Sequence, residues 1–143
     1  MTVAEKLEGL SLFVGTWHTT GVTRATAEKP SEPVDATDRY EWMEGGFFLL
    51  HHIESRTPEV FKALEIIGRE RQGEGCSMTS FDSKGRVVTS TMELKGRDVR
   101  VSSKTARFAG AFSGVGASLN GTWEMSEDGL SWRPSMDITL KKV

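Results

Sequence analysis

Short runs of β-branched and aromatic residues alternate along the chain with turn-forming residues, at intervals of roughly ten positions. Runs of this composition favour strands, because branched and aromatic side chains pack well on a pleated surface. Glycine, proline, aspartate and serine stand between the runs, where they permit or impose a tight bend. The clearest predicted strands cover residues 40–43, 47–53, 64–67, 87–94 and 136–140. We therefore predict an all-β fold, an up-and-down antiparallel β-barrel of about nine or ten strands.

The hydrophobic period changes near the N-terminus. Val3, Leu7 and Leu10 recur at three- and four-residue spacing, and Thr2 stands at a suitable N-cap position before them. This spacing places the three apolar side chains on one face of a helix. We predict a short N-terminal helix that covers or braces one end of the barrel.

Alternation within the predicted strands indicates which side chains point into the barrel, since successive strand residues face opposite sides. In the second of these runs, the face predicted to be inward carries Phe47, Leu49, His51 and Ile53. The opposite face includes Glu54, which marks it as the wetter side. Tyr40 and Trp42 of the preceding strand, and Leu64 and Ile66 of the following strand, are predicted to extend the same inner wall.

Composition places the chain among ordinary globular proteins. Its 143 residues are 37% apolar and 27% charged, which suits one hydrophobic core. Positions 25–34 are polar and hold two of the four prolines, so we predict an exposed loop there. Nothing suggests a second domain, and residues 1–143 are predicted to form a single barrel domain. The net charge of -2 provides no basic field for phosphates, so no nucleic-acid partner is expected.

The first 14 positions contain charged residues, among them Glu5, Lys6 and Glu8, and no sustained apolar stretch. They fit neither a secretory signal nor a membrane span. We therefore predict a cytoplasmic protein with no membrane partner. Cys76 is the single cysteine, which excludes an intramolecular disulfide.

The tripeptide Gly-Thr-Trp occurs twice, at positions 15–17 and 121–123. A glycine lets a strand bend sharply, and a neighbouring indole can close one end of a barrel. Both copies belong to a larger set of matching segments: 10–17, 40–49, 81–85, 121–124 and 128–132. Together these segments resemble a bacterial lipocalin-like family of unknown function. The resemblance implies a calycin-type barrel in which a basic residue of the last strand packs on Trp17; the candidates are Arg133, Lys141 and Lys142. It implies no reaction and no particular ligand.

A more distant resemblance links the chain to haem-binding nitrobindin-like barrels, which share the early Gly-x-Trp and the ten-stranded form. Their axial histidine comes from a late strand, whereas this chain has no histidine beyond His52. His51 and His52 also make a poor metal pair, because adjacent strand residues face opposite ways. We therefore predict neither a cofactor nor a metal site.

These observations predict a protein that binds a small, largely hydrophobic molecule inside the barrel. The predicted ligand-binding residues are Tyr40, Trp42, Phe47, Leu49, His51, Ile53 and Ile66. One alternative is a small enzyme that uses the same cavity, with His51 as acid or base towards a small hydrophobic carbonyl or peroxide substrate. Another is a structural or dimerising barrel, filled by its own side chains and without a ligand. A homodimer is compatible with each of these.

Overall fold

The computed structural model describes residues 8–69 and 75–143, and of Glu8 and Arg69 only the backbone. A 3-10 helix, Glu8–Phe13, precedes ten strands. The strands are β1 (Gly15–Thr23), β2 (Pro33–Trp42), β3 (Leu49–Thr57), β4 (Phe61–Arg69), β5 (Cys76–Asp82), β6 (Val87–Lys95), β7 (Asp98–Ser102), β8 (Ala106–Phe112), β9 (Ser118–Met125) and β10 (Arg133–Lys142).

Each strand pairs with the next one along the chain, and β1 pairs with β10 to close the barrel. All ten pairings are antiparallel. Closure gives every strand two neighbours, which leaves no sheet edge with unpaired backbone groups. The predicted all-β up-and-down barrel is confirmed.

Within the described residues the N-terminal segment forms a short 3-10 helix, Glu8–Phe13, and not the longer amphipathic helix that the spacing predicted. Leu10 lies in the 3-10 helix and is buried, whereas Thr2, Val3 and Leu7 lie outside the described residues. The described part of the chain contains no helix that is long and apolar enough to cross a membrane. The 3-10 helix covers one end of the barrel.

Aromatic side chains close the barrel end next to this helix, which we call the closed end. Trp17 Nε1 donates a hydrogen bond of 2.7 Å to the carbonyl oxygen of Phe13. The Phe13 ring lies 5.0 Å from the rings of both Tyr40 and Phe112. Lys142 Nζ lies 5.1 Å from the centre of the Trp17 ring, so Lys142 is the basic residue of the last strand that packs there. This contact joins β1 to β10, the first and last strands of the barrel.

Strand β3 begins two residues later than predicted. The β2–β3 turn contains Gly45 and Gly46, whose φ angles of 99° and 74° are costly for other residues. The turn extends through Phe48, and Phe47 consequently stands outside the strand with 57% of its surface exposed. Alternation could not show this, because an aromatic pair after a glycine pair also fits the start of a strand.

Candidate functional site

Strand pairing determines which side chains share a face, because residues directly opposite each other in an antiparallel pair project to the same side. His51 pairs with Tyr40 on β2 and with Glu65 on β4. Tyr40 and His51 are buried, and the Glu65 side chain is 13% exposed. These three side chains therefore point into the barrel together, and the predicted inward orientation of His51 is confirmed.

The predicted inward face of β4 is wrong. Ile66 pairs with Leu50 on the outer face and is 36% exposed, whereas Ile67 pairs with Leu49 and is fully buried. Alternation predicts Leu64 and Ile66 inside because they are apolar, and it predicts Glu65 outside because it is charged. The barrel instead turns Glu65 inward, where His51 is its partner.

The other predicted ligand-binding residues lie in different surroundings. Leu49 is buried on the inward face of β3, and Ile53 is half-buried on the same face. Trp42 is partly buried and packs against the core near the closed end. Phe47 stands in the exposed β2–β3 turn, away from the inward faces.

A chain of hydrogen bonds crosses four neighbouring strands inside the barrel. Thr19 Oγ1 on β1 donates to Asp38 Oδ2 on β2. Asp38 Oδ1 lies 2.7 Å from His51 Nε2, and Glu65 Oε1 lies 2.9 Å from His51 Nδ1. The side chains of Asp38, His51 and Glu65 are only 11%, 9% and 13% exposed. We call Thr19, Asp38, His51 and Glu65 the polar network.

Both carboxylates hold the imidazole ring in its charged form. Burial lowers the pKa of His51, but the hydrogen bonds from its ring to Asp38 and Glu65 raise it by more, so the pKa of His51 is about 9 instead of the ordinary 6.5. A doubly protonated ring can donate from both nitrogens at once, which matches the two short contacts. The polar network therefore sets two acidic side chains against one imidazolium.

Tyr40 covers the imidazolium on the closed-end side. Its ring stacks on the His51 ring with 3.9 Å between centres and 12° between planes. Burial and the charges of Asp38 and Glu65 raise the pKa of Tyr40 well above its ordinary value of 10.0. The phenol therefore stays protonated, and its ring gives the cation an electron-rich face.

Away from the closed end, the inward positions of strands β7 to β10 carry no charged side chain in the barrel interior. We call this set the apolar wall; it consists of Val99, Val101, Phe108, Phe112, Leu119 and Leu140. Since strand order follows chain order, the wall residues on β7 and β8 lie across the barrel from the polar network, whereas Leu140 on β10 pairs with Thr19 and lies beside it. The interior therefore has one polar side and one apolar side.

Burial of inward residues decreases away from the closed end. Near that end Leu49, Ile67 and Leu140 are almost completely buried. Farther along the same strands, Ile53, Ala63 and Ile138 are only half-buried. At the far end a groove of about 500 Å³ lies between the β1–β2 loop and the β3–β4 turn; it is lined by Thr23, Arg24, Thr26, Lys29, Pro30, Glu32, Pro58 and Glu59.

The polar network is not arranged as a metal site. Within residues 8–69 and 75–143 no group of three His, Cys, Asp or Glu side chains could hold a metal ion. Both ring nitrogens of His51 carry protons directed at carboxylates, so the ring has no lone pair for coordination. In this arrangement the network serves charge pairing and hydrogen bonding.

Sequence reasoning found His51 and Tyr40 but missed Thr19, Asp38 and Glu65. One signal was present: Asp38 stands two positions before Tyr40, hence on the same face of a strand. A carboxylate on an otherwise inward face needs a partner, and an inward histidine on the next strand can provide it. Thr19 on β1 and Glu65 on β4 join the polar network through the register of those strands, which hydrophobic alternation along the sequence does not determine.

Comparison with known proteins supports the fold. The chain matches no protein-family model and no curated protein. It is similar to the crystal structure of Rv2717c from M. tuberculosis, with a TM-score of 0.70 and 13% sequence identity over 99% of each chain. At this identity the likeness concerns the fold alone, and both chains share the barrel architecture along nearly their whole length.

Proposed function

We propose that the protein binds a small, largely hydrophobic molecule in the barrel interior. The observation that carries this proposal is the decrease in burial of inward side chains away from the closed end, where Ile53, Ala63 and Ile138 are only half-buried. An apolar body would pack on these side chains, while one polar group of the ligand reaches the polar network and fixes its orientation. Leu49 and Ile53 would contribute to the lining, together with Tyr40 next to His51. Trp42 packs against the core near the closed end, and Phe47 and Ile66 are exposed.

The alternative of an enzyme with His51 as acid or base is less well supported. Efficient proton transfer at neutral pH needs a group whose pKa lies near the working pH, and the pKa of His51 is about 9. Both ring nitrogens are engaged by carboxylates, which leaves no nitrogen directed at a substrate. A positioning and charge-balancing role fits this histidine better.

We further propose that the chain is a single-domain, cytoplasmic member of the lipocalin-like barrels. The repeated Gly-Thr-Trp and the packing of Lys142 on Trp17 support this relation, since a basic residue of the last strand is expected on that tryptophan. A homodimer is compatible with this function, and a ligand-free structural barrel is the alternative that the following experiment separates from a carrier.

Filling the interior tests the proposal directly. Ala63 faces inward and is half-buried, whereas its neighbour Lys62 is exposed on the outer face. We expect Ala63→Trp to abolish binding of a neutral apolar fluorescent probe, N-phenylnaphthylamine, and Lys62→Trp to leave it unchanged. Circular dichroism checks that both variants fold. Native mass spectrometry of protein purified from its own host would show a retained molecule in the wild type.

Two results would overturn the proposal. If Ala63→Trp and the wild type bind the probe equally, the probe binds on the outer surface and the proposal is wrong. Absence of probe binding by the wild type, together with no retained molecule, would favour a barrel filled by its own side chains.

A further inference from the structure

We infer that two copies of this chain associate through the outer face of strands β3 to β6. This surface is separate from the barrel interior, so the inference stands independently of the proposed function. It starts from two rows of outward side chains that strand pairing brings together. In one row Leu64 pairs with Phe81, and Phe81 pairs with Val87. In the next row Leu50 pairs with Ile66.

Large apolar side chains are exposed in both rows. Phe81 is 47% exposed and Val87 is 61% exposed. Phe48 extends the surface, because a Cβ added to Gly68 on β4 would lie 2.6 Å from Phe48 Cδ1, so this exposed ring covers the glycine. We call this surface the neutral face; it consists of Phe48, Leu50, Leu64, Ile66, Thr79, Phe81, Val87 and Thr89. Apolar side chains gathered on one exposed surface mark a contact with another molecule.

The neutral face contains no charged side chain. Thr79 and Thr89 complete the row that begins with Leu50 and Ile66. Charged or titratable side chains border the surface on the β2 side and towards the far end: Arg39, Glu41, His52, Glu54 and Lys62. An apolar centre without charge inside a polar rim is the composition of protein–protein interfaces.

The neutral face is complementary to itself. A two-fold axis that runs parallel to the strands, between β4 and β5, exchanges β3 with β6 and β4 with β5. Leu64 then packs on the partner's Phe81, and Ile66 packs on the partner's Thr79, because these residues stand opposite each other across the axis. Both contacts occur twice. Apolar side chains therefore meet at the centre of the interface, and no charge is buried there.

Charges at the far-end edge fit the same axis. Glu54 lies on β3, in one half of the surface, and Lys84 lies in the β5–β6 turn, in the other half. The axis brings Glu54 next to the partner's Lys84. Lys84 already pairs with Glu59 of its own chain, but an ammonium group has three donors and can serve a second carboxylate. An edge with both signs of charge favours a second copy over an anionic membrane surface, which requires a basic rim.

The size of the neutral face indicates a weak dimer. Neighbouring strands lie about 4.8 Å apart, and outward residues along one strand lie about 7 Å apart, so the surface measures roughly 20 Å by 20 Å. This area is at the smaller end of specific interfaces, so we expect a dissociation constant of about 10 µM.

Sedimentation velocity tests the inference over chain concentrations of about 1 to 500 µM. We expect the wild type to change from the mass of one chain to the mass of two. Phe81→Glu should remain monomeric throughout, because the new carboxylate would be buried opposite an apolar side chain. Val22→Glu is the matched control, since Val22 is an exposed apolar residue on the outer face of β1, and it should dimerise as the wild type does. Circular dichroism checks folding, and Val87→Glu replaces Phe81→Glu if that variant does not fold.

Charge reversal tests the position of the axis. Glu54→Lys and Lys84→Glu should each weaken the dimer about tenfold, since each change places like charges together at two symmetric points. The double variant restores the opposite charges and should recover most of the lost affinity. Additive losses in the double variant would overturn the two-fold arrangement.

Three other results would overturn the inference. The first is a wild type that stays monomeric at the highest concentration, and the second is equal dimerisation of Phe81→Glu and Val22→Glu. The third is a monomeric wild type that binds phosphatidylcholine vesicles and loses this binding in Phe81→Glu, which would assign the neutral face to lipid. None of these results affects binding of N-phenylnaphthylamine in the interior, so the proposed function is judged separately.

Discussion

At the residue scale, His51 makes the burial of two carboxylates tolerable. An uncompensated charge in a protein interior is expensive, and a partner with good hydrogen-bond geometry reduces that cost. Asp38 and Glu65 approach opposite nitrogens of one ring, and Tyr40 stacks on its face. A single side chain thus balances charge contributed by two different strands.

Removing the imidazolium should therefore destabilise the protein strongly at neutral pH. We expect His51→Gln to lower the free energy of unfolding by about 3–5 kcal/mol, because two carboxylates are left buried without a cation. Urea denaturation at neutral pH measures this. His52→Gln is the matched control, since the adjacent histidine faces outward and is 37% exposed; a similar loss in both variants would contradict the role given to His51.

The protonation of His51 should itself be observable. The groups that face its ring are Asp38, Glu65 and Tyr40. Because the pKa of His51 is raised to about 9 in the folded state, its contribution to stability is fully present below about pH 6.5 and is lost as the pH rises through about 9. The difference corresponds to roughly 3 kcal/mol. An NMR titration should show the His51 ring still protonated at neutral pH; a midpoint near 6.5 would show that the carboxylates do not control it.

At the element scale, glycines in β8 and β9 make room for an aromatic ring inside the barrel. Gly110 and Gly121 pair across these strands, and the Phe108 ring lies over both of them. Phe108 also packs against Trp123, with 5.3 Å between ring centres. The ring therefore occupies the volume that two side chains would otherwise take. This packing builds part of the apolar wall.

A methyl group at Gly121 should disturb this packing. Its Cβ would overlap the Phe108 ring and lie 2.7 Å from the carbonyl oxygen of Ala109. We expect Gly121→Ala to cost about 1–3 kcal/mol of unfolding free energy, as over-packed cores do. Gly114→Ala is the control, because the nearest atom to an added Cβ there is 3.9 Å away. Urea denaturation and near-ultraviolet circular dichroism would reveal the difference, and equal stability of the two variants would contradict this account.

At the scale of the whole molecule, the up-and-down topology converts position in the chain into position around the barrel. The polar network comes from β1 to β4, and the apolar wall comes from β7 to β10. Pairing of β1 with β10 then brings the two halves together and places Lys142 over Trp17. The similar fold of Rv2717c at 13% identity shows that this architecture tolerates extensive change of sequence.

The amino-acid sequence alone determined the fold class, the approximate strand number and the inward orientation of Tyr40 and His51. These features depend on local alternation and turn chemistry, which act within a few residues. Only the tertiary structure decided that Glu65 points inward and Ile66 does not, because a charged side chain goes inside when a partner on another strand compensates it. Such compensation depends on register between strands, and register is set by the closed barrel as a whole.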